Sequence, residues 1–364
     1  MSSNWPQWLP IRPELSTLSP YGAPQVDVPV RLNTNENPYP LSAELQQALL
    51  NSIAEELEDL NRYPDRDALK LRSDLARSIS TEIGLDINQN WIWPANGSNE
   101  VIQSILLAFE GEVLGFEPSY SMHPLITKVV GKKWITINRD DEFEVREMQI
   151  ESAIRERNAK IVFLTTPNNP TGTSTSIELI RSLARQLLER GALLVVDEAY
   201  AEFSSQTSAI TLIRELPNVL VCRTMSKAFA FAGARLGYLV ADPKVIEAIQ
   251  LVRLPYHLGA LTQAAARAAL VNQSGLKVDV KRLREARREV AKAIEELGLK
   301  VHASDANFIL FGGFKETPAK LWRNLLDKGV LVRDVGIPGK LRVTIGTEEE
   351  NRAFLDALKQ SVRG

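Results

Sequence analysis

Between residues 91 and 255 the chain alternates short apolar runs with longer amphipathic segments, and this alternation constrains the fold more than any other feature. The apolar runs span residues 112–116, 133–137, 160–165, 193–196, 219–222 and 236–240. Segments between the runs, such as Ile177–Leu188 and Pro243–Val252, carry apolar residues at helical spacing. Short buried strands that alternate with helices are typical of a mainly parallel sheet. We therefore predict an α/β fold whose large domain is such a sheet flanked by helices.

The composition of the chain divides it into three predicted parts. Residues 1–40 are rich in proline and lack periodicity, which predicts an N-terminal arm lying on a surface or on another subunit. Residues 41–255 form the predicted large domain, whose first helix covers 41–60 with Ser42 as N-cap. Residues 256–364 form a predicted smaller α+β domain. Its predicted elements are a charged helix over 278–297 and strands over 307–311 and 341–345.

Charge and residue counts exclude several classes of protein. A net charge of -2 provides no basic surface for nucleic acid and no strong attraction to an anionic membrane. The apolar runs are far shorter than the roughly 20 residues that span a bilayer, and the N-terminus lacks the pattern of a secretory signal. One cysteine and three histidines argue against a disulfide and a zinc site. We expect a cytoplasmic protein without a metal, a nucleic-acid partner or a membrane partner.

Polar residues follow three of the apolar runs, each at the point where a strand would end. Asn169 follows the run 160–165, Asp197 follows 193–196, and Lys227 follows 219–222, so that about one βαβ unit separates each from the next. In open α/β sheets, ligands bind beyond the carboxyl ends of the strands. We therefore expect Asn169, Asp197 and Lys227 to converge on one crevice.

The neighbours of Lys227 indicate which ligand this crevice binds. A lysine amine forms a Schiff base with an aldehyde, and hydroxyl and guanidinium groups bind phosphate. Thr224 and Ser226 flank Lys227, and Arg235 follows it after about two helical turns. Ser98 lies in a Gly-Ser-Asn-Glu segment that opens a predicted helix, and a helix N-terminus is a natural phosphate site. These residues together indicate an aldehyde cofactor that carries a phosphate, namely pyridoxal 5'-phosphate (PLP).

Each residue then has a chemical role in a PLP-dependent aminotransferase. Lys227 would move a proton between the α-carbon of the substrate and the cofactor. Asp197 would keep the pyridine nitrogen protonated, which makes the ring an electron sink. Tyr200 and Asn169 would donate hydrogen bonds to the phenolic oxygen of the ring. A Ser/Lys acyl-transfer site is a competing interpretation of Ser226 and Lys227, but it leaves Asp197 without a function.

With these residues the chain resembles the fold-type I, aspartate-aminotransferase-like PLP enzymes, and more closely the histidinol-phosphate aminotransferases. The resemblance extends over essentially the whole chain. The further motifs that carry it are NTNENP at 33–38, NRYP at 61–64, PSYSM at 118–122, NNPTG at 168–172, DEAY at 197–200 and LRVTIG at 341–346. A departure from the family pattern is His123, which stands where many relatives carry tyrosine.

The resemblance implies further contacts with the cofactor. It implies that Tyr120 stacks on the ring and that Ser98 and Asn99 hold the phosphate. It also implies that Tyr63 reaches the phosphate from the neighbouring subunit, so that the enzyme is a homodimer with shared active sites. Arg342 would bind an anionic group of the substrate.

The family reaction transfers an amino group between L-glutamate and imidazole acetol phosphate, giving L-histidinol phosphate and 2-oxoglutarate in histidine biosynthesis. Histidinol phosphate has no carboxylate, so its phosphate must use the anion site of glutamate. Arg333 and Arg342 would supply two guanidinium groups there. Tyr21 from the arm and Tyr256 from the partner subunit would add hydroxyls, and Asn169 would also contact the substrate.

Three alternative functions remain compatible with these residues. The nearest is an aromatic amino-acid aminotransferase that acts on phenylpyruvate. The second is a PLP-dependent decarboxylase of a phosphorylated amino acid. The third is a PLP-binding regulator, which ranks last because the chain has no additional basic helix-turn-helix module.

Overall fold

The computed structural model of the protein describes residues 5–148 and 159–362. The strands in chain order are β1 (Val30–Arg31), β2 (Ile92–Ala95), β3 (Glu112–Glu117), β4 (Trp134–Asn138), β5 (Ala159–Thr165), β6 (Leu193–Asp197), β7 (Val219–Thr224), β8 (Gly237–Val240), β9 (Lys300–Val301), β10 (Phe308–Gly312), β11 (Val330–Leu331) and β12 (Lys340–Thr344). The α-helices in chain order are α1 (Ala43–Leu57), α2 (Leu69–Ile83), α3 (Ser98–Ala108), α4 (Met122–Val129), α5 (Ile177–Leu188), α6 (Pro243–Val252), α7 (Ala260–Val271), α8 (Gln273–Glu296), α9 (Pro318–Leu326) and α10 (Glu348–Val362).

A seven-stranded sheet in the order β2-β8-β7-β6-β5-β3-β4 is the framework of the larger part of the molecule. The five adjacent strands β7, β6, β5, β3 and β4 run parallel to one another. Strand β8 is antiparallel to both of its neighbours, β2 and β7. Strands β5, β6 and β7 are almost completely buried, because helices cover both faces of a parallel sheet. The prediction of an α/β fold with a mainly parallel sheet is confirmed.

Two smaller sheets lie in the C-terminal part of the chain. Strand β10 pairs antiparallel with both β9 and β12. Strands β10 and β12 correspond to the strands predicted over 307–311 and 341–345. Strand β1 pairs in parallel with β11 through Val30 and Val330, so the N-terminal segment joins this part of the molecule. Leu32, which follows β1, belongs to the same hydrophobic cluster as Phe308 and Phe354.

The helix ends follow from local chemistry. Helix α1 begins after Ser42, whose Oγ accepts a hydrogen bond from the N–H of Leu45 at 3.2 Å, as expected for an N-cap. Helix α6 begins with Pro243 after the side-chain cap of Asp242. Helix α3 begins after Gly97, which provides no side-chain cap, so the N–H groups of Ser98 and Asn99 stay available for a ligand.

The described residues form three hydrophobic clusters. Two pack on the seven-stranded sheet, one with Leu164 (the sheet cluster) and one with Phe163, and the third lies in the C-terminal part with Phe308. Helix α8 contributes to two of them: Leu276, near its N-terminus, packs with the sheet cluster, whereas Leu283 packs with the C-terminal cluster. Helix α7 also packs with the sheet cluster, through Ala266. The division of the chain after residues 40 and 255 stays a prediction. Within the described ranges, the helices lack the length and apolar character needed to cross a membrane.

Candidate active site

The ends of three neighbouring parallel strands meet at one cavity of about 240 Å³. Asp197 is the last residue of β6, Asn169 lies beyond β5, and Lys227 lies beyond β7. Because β5, β6 and β7 are adjacent and parallel, their carboxyl ends bring these three side chains together. The predicted site residues that line the cavity are Tyr21, Ser98, Asn99, Tyr120, Asn169, Asp197, Tyr200, Thr224, Ser226, Lys227, Arg235, Arg333 and Arg342.

Lys227 presents its amine to the cavity from a half-buried position. Its Nζ donates a hydrogen bond to the carbonyl oxygen of Thr34 at 2.9 Å. Burial lowers the pKa of Lys227 to about 8, and the positive charges of Arg342 and Arg235 add to this effect. A larger share of this amine is therefore neutral near neutral pH than for an exposed lysine, and the neutral amine is the nucleophile.

Asp197 is a buried carboxylate that two neighbours hold in place. The N–H of Ala199 donates to Asp197 Oδ1 at 3.2 Å, and His123 Nε2 lies 3.0 Å from Asp197 Oδ2. An ionised carboxylate only accepts hydrogen bonds, so this contact requires the imidazole proton on Nε2. The His123 ring comes from α4 and stacks on Phe163, with 4.6 Å between the ring centroids. The imidazole thus fixes the orientation of the carboxylate.

A cradle for an anion lies at the N-terminus of α3. Gly97 has φ +80°, and a Cβ at this position would lie 2.6 Å from Arg235 Nη2, so only glycine lets the guanidinium come this close to the helix end. Arg235 Nη1 donates to Ser226 Oγ at 3.4 Å. The Ser226 N–H donates to Thr224 Oγ1 at 3.1 Å. A guanidinium, hydroxyls and a helix N-terminus together suit a phosphate group.

Two buried phenols, Tyr120 and Tyr200, also line the cavity. The Tyr120 hydroxyl donates to Asn99 Oδ1 at 3.1 Å, and the Tyr200 hydroxyl accepts from Asn35 Nδ2 at 2.9 Å. Burial raises the pKa of both phenols, so both remain protonated at neutral pH. The Tyr200 hydroxyl therefore keeps a proton that it can donate to a ligand.

On the opposite side, Arg342 is a buried guanidinium with fixed geometry. Its Nη1 donates to Asn169 Oδ1 at 2.5 Å, and its Nη2 donates to the carbonyl oxygen of Asn33 at 2.7 Å. Burial, together with the positive charge of Arg333, lowers the pKa of Arg342 to about 10, which leaves it charged at neutral pH. The backbones of Arg333 and Arg342 exchange two hydrogen bonds of 2.9 Å, so both arginines are held at the same wall of the cavity.

This geometry agrees with the comparison with known families. Residues 27–358 match the family model of class I and II aminotransferases. The chain belongs to this family. A curated histidinol-phosphate aminotransferase of Mycolicibacterium vanbaalenii is 52% identical over 354 residues, which cover 96% of this chain and 95% of the relative. The predicted membership of the aminotransferase family is confirmed.

Solved structures of aminotransferases share the fold. The histidinol-phosphate aminotransferase of Sinorhizobium meliloti, solved in complex with pyridoxal-5'-phosphate, is 25% identical with a TM-score of 0.84 and covers 97% of this chain and 98% of its own. An aspartate aminotransferase double mutant of Thermus thermophilus is 24% identical with a TM-score of 0.79, covering 92% of each chain. The predicted aspartate-aminotransferase-like fold of this aminotransferase is confirmed.

Two predicted site residues do not line the cavity in their own chain. Tyr63 and Tyr256 stack on each other at a centroid distance of 4.3 Å, and they are 79% and 40% exposed. An aromatic pair exposed in this way is available to a second subunit. Their contribution to a neighbouring site stays a prediction.

Several residues that build the site are not predicted from the sequence. Thr34 accepts from the amine of Lys227, and Asn33 accepts from Arg342. Asn35 is buried, bonds Tyr200 and exchanges hydrogen bonds with Thr344. The motif at 33–38 was the available signal, but it served only as a mark of resemblance. The described residues contain no group of His, Cys, Asp and Glu side chains that could hold a metal ion.

Proposed function

We propose that the protein catalyses PLP-dependent transfer of an amino group between L-glutamate and imidazole acetol phosphate, giving L-histidinol phosphate and 2-oxoglutarate. One observation carries the proposal. A single cavity joins the Lys227 amine and the Arg235 anion cradle to a second anion site beside Arg333 and Arg342. A phosphorylated substrate that reacts with a phosphorylated cofactor requires two such anion sites. The name of the 52% identical relative agrees with this substrate.

The residues of the cradle fit the phosphate of PLP. Ser98 and Asn99 stand in the first turn of α3, and Thr224, Ser226 and Arg235 face them. These five residues would hold the phosphate through N–H, hydroxyl and guanidinium donors. When bound, PLP supplies an aldehyde to the lysine amine and an electron sink for the substrate carbanion.

The protein groups around the ring would then direct protons. Lys227, with its pKa of about 8, can both remove and return the α-proton near neutral pH. Asp197, held by His123, would keep a proton on the pyridine nitrogen. Tyr200 would donate to the phenolic oxygen of the ring. Lys227 would thus act as the general acid and base, and Asp197 would stabilise the positive charge of the protonated ring.

Tyr120 and Asn169 would position the cofactor and the substrate. The Tyr120 ring lines the cavity, and its hydroxyl is bonded to Asn99 in the phosphate cradle, so its face would lie against the cofactor ring. Asn169 is bonded to Arg342 and would contact both the phenolic oxygen and the substrate.

The two arginines would serve both substrates at the same place. Glutamate presents a carboxylate, whereas histidinol phosphate presents a phosphate with more acceptor oxygens. Arg342 Nε is buried and has no hydrogen-bond partner in the described ranges, so the guanidinium keeps an unused donor. Arg333 and the hydroxyl of Tyr21 would supply the additional donors that a phosphate needs.

We propose further that the enzyme is a homodimer with shared active sites. The exposed pair Tyr63 and Tyr256 would reach the neighbouring site, Tyr63 at the cofactor phosphate and Tyr256 at the substrate. The chain nearby exposes Leu60 and Leu254, which are 50% and 73% accessible. An exposed apolar surface of this kind is typical of a subunit interface. We also propose a cytoplasmic location, which agrees with the single free cysteine.

Comparison of specificity constants tests the substrate. With 2-oxoglutarate as acceptor, we expect kcat/KM for L-histidinol phosphate to exceed that for L-phenylalanine by at least about a hundredfold, because two guanidinium groups recognise the phosphate. A higher value for phenylalanine would assign the enzyme to the aromatic group. Release of carbon dioxide from a phosphorylated amino acid, without transamination, would indicate a decarboxylase instead.

A pair of arginine variants locates the phosphate contact. Arg333→Ala should lower kcat/KM for histidinol phosphate by about tenfold to a hundredfold and leave that for phenylalanine nearly unchanged. Arg323→Ala, in which an exposed arginine of α9 is removed, is the matched control and should change neither value.

A further inference from the structure

A second cavity, of about 470 Å³, lies behind the active site. Helices α2 and α8 form two of its walls, and the segments 201–211 and 223–229, strand β8 and the end of α7 complete the lining. Apolar side chains, among them Leu75, Ile79 and Leu276, line much of it. Its volume suits a small organic molecule.

The two cavities share a chain segment but have different linings. Thr224 and Ser226 face the active site, whereas Arg223 and Met225 face the second cavity. This alternation follows from the extended backbone at the end of β7, where successive side chains point to opposite faces. The second cavity is therefore separate from the active site, although the two lie back to back.

Three carboxylates surround the guanidinium of Arg223, and two of them, Glu82 and Glu202, line the second cavity with it. Arg223 Nε donates to Glu198 Oε2 at 3.0 Å, and Arg223 Nη1 donates to Glu82 Oε1 at 2.8 Å. Glu198 is fully engaged, because it also accepts from the Ser208 hydroxyl and the Ala209 N–H. The described groups thus satisfy two of the three carboxylates and two nitrogens of the guanidinium, Nε and Nη1. Arg223 Nη2 lies 3.0 Å from Glu198 Oε2 as an ion pair but has no hydrogen-bond partner in the described residues.

Glu202 is the carboxylate that remains incompletely bonded. Its Oε1 lies 3.8 Å from Arg223 Nη1, beyond hydrogen-bond distance, and its Oε2 is buried without a hydrogen-bond partner in the described part of the chain. Burial raises the pKa of Glu202 to about 7. Lys277 also lines the cavity, but it is exposed. A buried acceptor without a donor is costly, and a ligand that donates hydrogen bonds to it would remove this cost.

We propose that this second cavity binds a small organic cation, with a flat amidinium or guanidinium group donating to Glu202 and an apolar body lying between α2 and α8. A planar cation of this type can donate two parallel hydrogen bonds to one carboxylate. The apolar side chains of the walls would cover its hydrocarbon part. The proposal is independent of the identity of the amino-group substrate.

Two probe molecules of equal shape test the proposal. Benzamidine is a cation, and benzamide is its neutral counterpart with the same ring. Titration calorimetry with the PLP-loaded enzyme, reduced by borohydride to fix the cofactor in the active site, should give saturable binding of one benzamidine per chain. Benzamide should bind at least about tenfold more weakly, because it lacks the charge that pairs with Glu202.

A Glu202 variant and a crystal structure of the enzyme with benzamidine locate the binding site of the probe. Glu202→Gln should weaken benzamidine at least about tenfold, whereas Glu215→Gln, which removes a surface carboxylate outside the cavity, should leave the affinity unchanged. Should Glu202→Gln fail to fold, the comparison of the two probes with the unmodified enzyme decides. Equal binding of the two probes, unchanged affinity in a folded Glu202→Gln variant, or electron density for benzamidine elsewhere would overturn the proposal.

Discussion

The amine of Lys227 shows how the fold adjusts a single group to its chemistry. Burial and the nearby charge of Arg342 lower its pKa to about 8, while the backbone carbonyl of Thr34 holds the amine in the cavity. An exposed lysine with a pKa near 10.4 would be almost entirely protonated at neutral pH and hence a poor nucleophile. The environment thus prepares the amine for reaction with an aldehyde before any cofactor binds.

This shift leads to an expected pH dependence. Because the neutral fraction of an amine with a pKa of about 8 rises steeply between pH 7 and 9, the rate at which cofactor-free enzyme captures PLP covalently should increase from pH 6.5 and level off above about pH 9. Stopped-flow absorbance after mixing with PLP measures this rate. Nα-acetyl-lysine is the control, since its rate should keep rising beyond pH 9.5. The same continued rise in the enzyme would contradict the shift.

Arg235 should be needed to retain the cofactor. Arg235→Ala removes the guanidinium of the phosphate cradle, and a lost charge-assisted hydrogen bond of about 1.5–3 kcal/mol should raise the Kd for PLP about tenfold to a hundredfold. Dialysis followed by absorbance measures retention. Arg185→Ala, on the surface of α5, is the control. Retention equal to that of the unmodified enzyme would mean that the phosphate is bound elsewhere.

Part of the site could be predicted residue by residue, and part could not. Asn169, Asp197 and Lys227 follow buried strands, so the topology alone brings them together. The contact of His123 with Asp197 joins α4 to β6 across the tertiary structure, and neither periodicity nor spacing encodes such a pairing. Asn35 contacts Tyr200 from a segment without regular structure, so no periodic pattern in the sequence predicts this contact either.

Among the secondary-structure elements, the buried apolar runs predicted the positions of the strands better than their directions. The run 219–222 and strand β7 begin at the same residue, and helices α5 and α6 have the bounds of the segments that showed helical spacing. Strand β8 is antiparallel to its neighbours, and a short apolar run carries no signal of direction. Helix α8 begins at Gln273 rather than at residue 278, because its first turn is polar and lacks the apolar periodicity used to place it.

The junction before helix α3 is expected to depend on its glycine. In Gly97→Ala, the new Cβ would meet Arg235 Nη2 at 2.6 Å, so the guanidinium must move and the Kd for PLP should rise at least about tenfold. Gly131→Ala is a matched control, because Gly131 has φ +81° with no neighbouring atom within 4 Å. Both variants should lose about 1–2 kcal/mol of unfolding free energy from backbone strain.

Only the Gly97→Ala variant should lose affinity for PLP. Absorbance titration with PLP measures this affinity, and thermal unfolding measures the stability of both variants. An unchanged Kd in Gly97→Ala would show that the close approach of Arg235 to the helix end is not required for phosphate binding.

At the scale of the whole molecule, the N-terminal segment and the C-terminal sheets jointly close the active site. Strand β1 pairs with β11, and the residues that follow it reach Tyr200, Lys227 and Arg342. The large sheet carries Asp197 and the residues of the proposed cofactor side, whereas β12 carries Arg342, which we propose for the substrate side. A movement of one part relative to the other would therefore change the distance between the two anion sites.

Hybrid dimers test the sharing of active sites. Lys227→Ala should abolish transamination, with a loss of at least about a thousandfold, and Tyr63→Ala should weaken it by removing a contact from the partner's site. If the sites are shared, a mixture of refolded Lys227→Ala and Tyr63→Ala subunits recovers about a quarter of the unmodified activity, because each hybrid dimer has one intact site. Separately refolded subunits of each variant are the control. No recovery in the mixture would contradict shared sites.

In the proposed function, this aminotransferase recognises a phosphorylated amine through two anion sites in one cavity. The most direct measurement adds L-histidinol phosphate, and separately L-phenylalanine, to the PLP-loaded enzyme and follows the absorbance of the cofactor. We expect rapid conversion to the pyridoxamine form by histidinol phosphate and little conversion by phenylalanine. Conversion mainly by phenylalanine would contradict the assigned substrate, and the absence of any Lys227-linked cofactor band would contradict the active site itself.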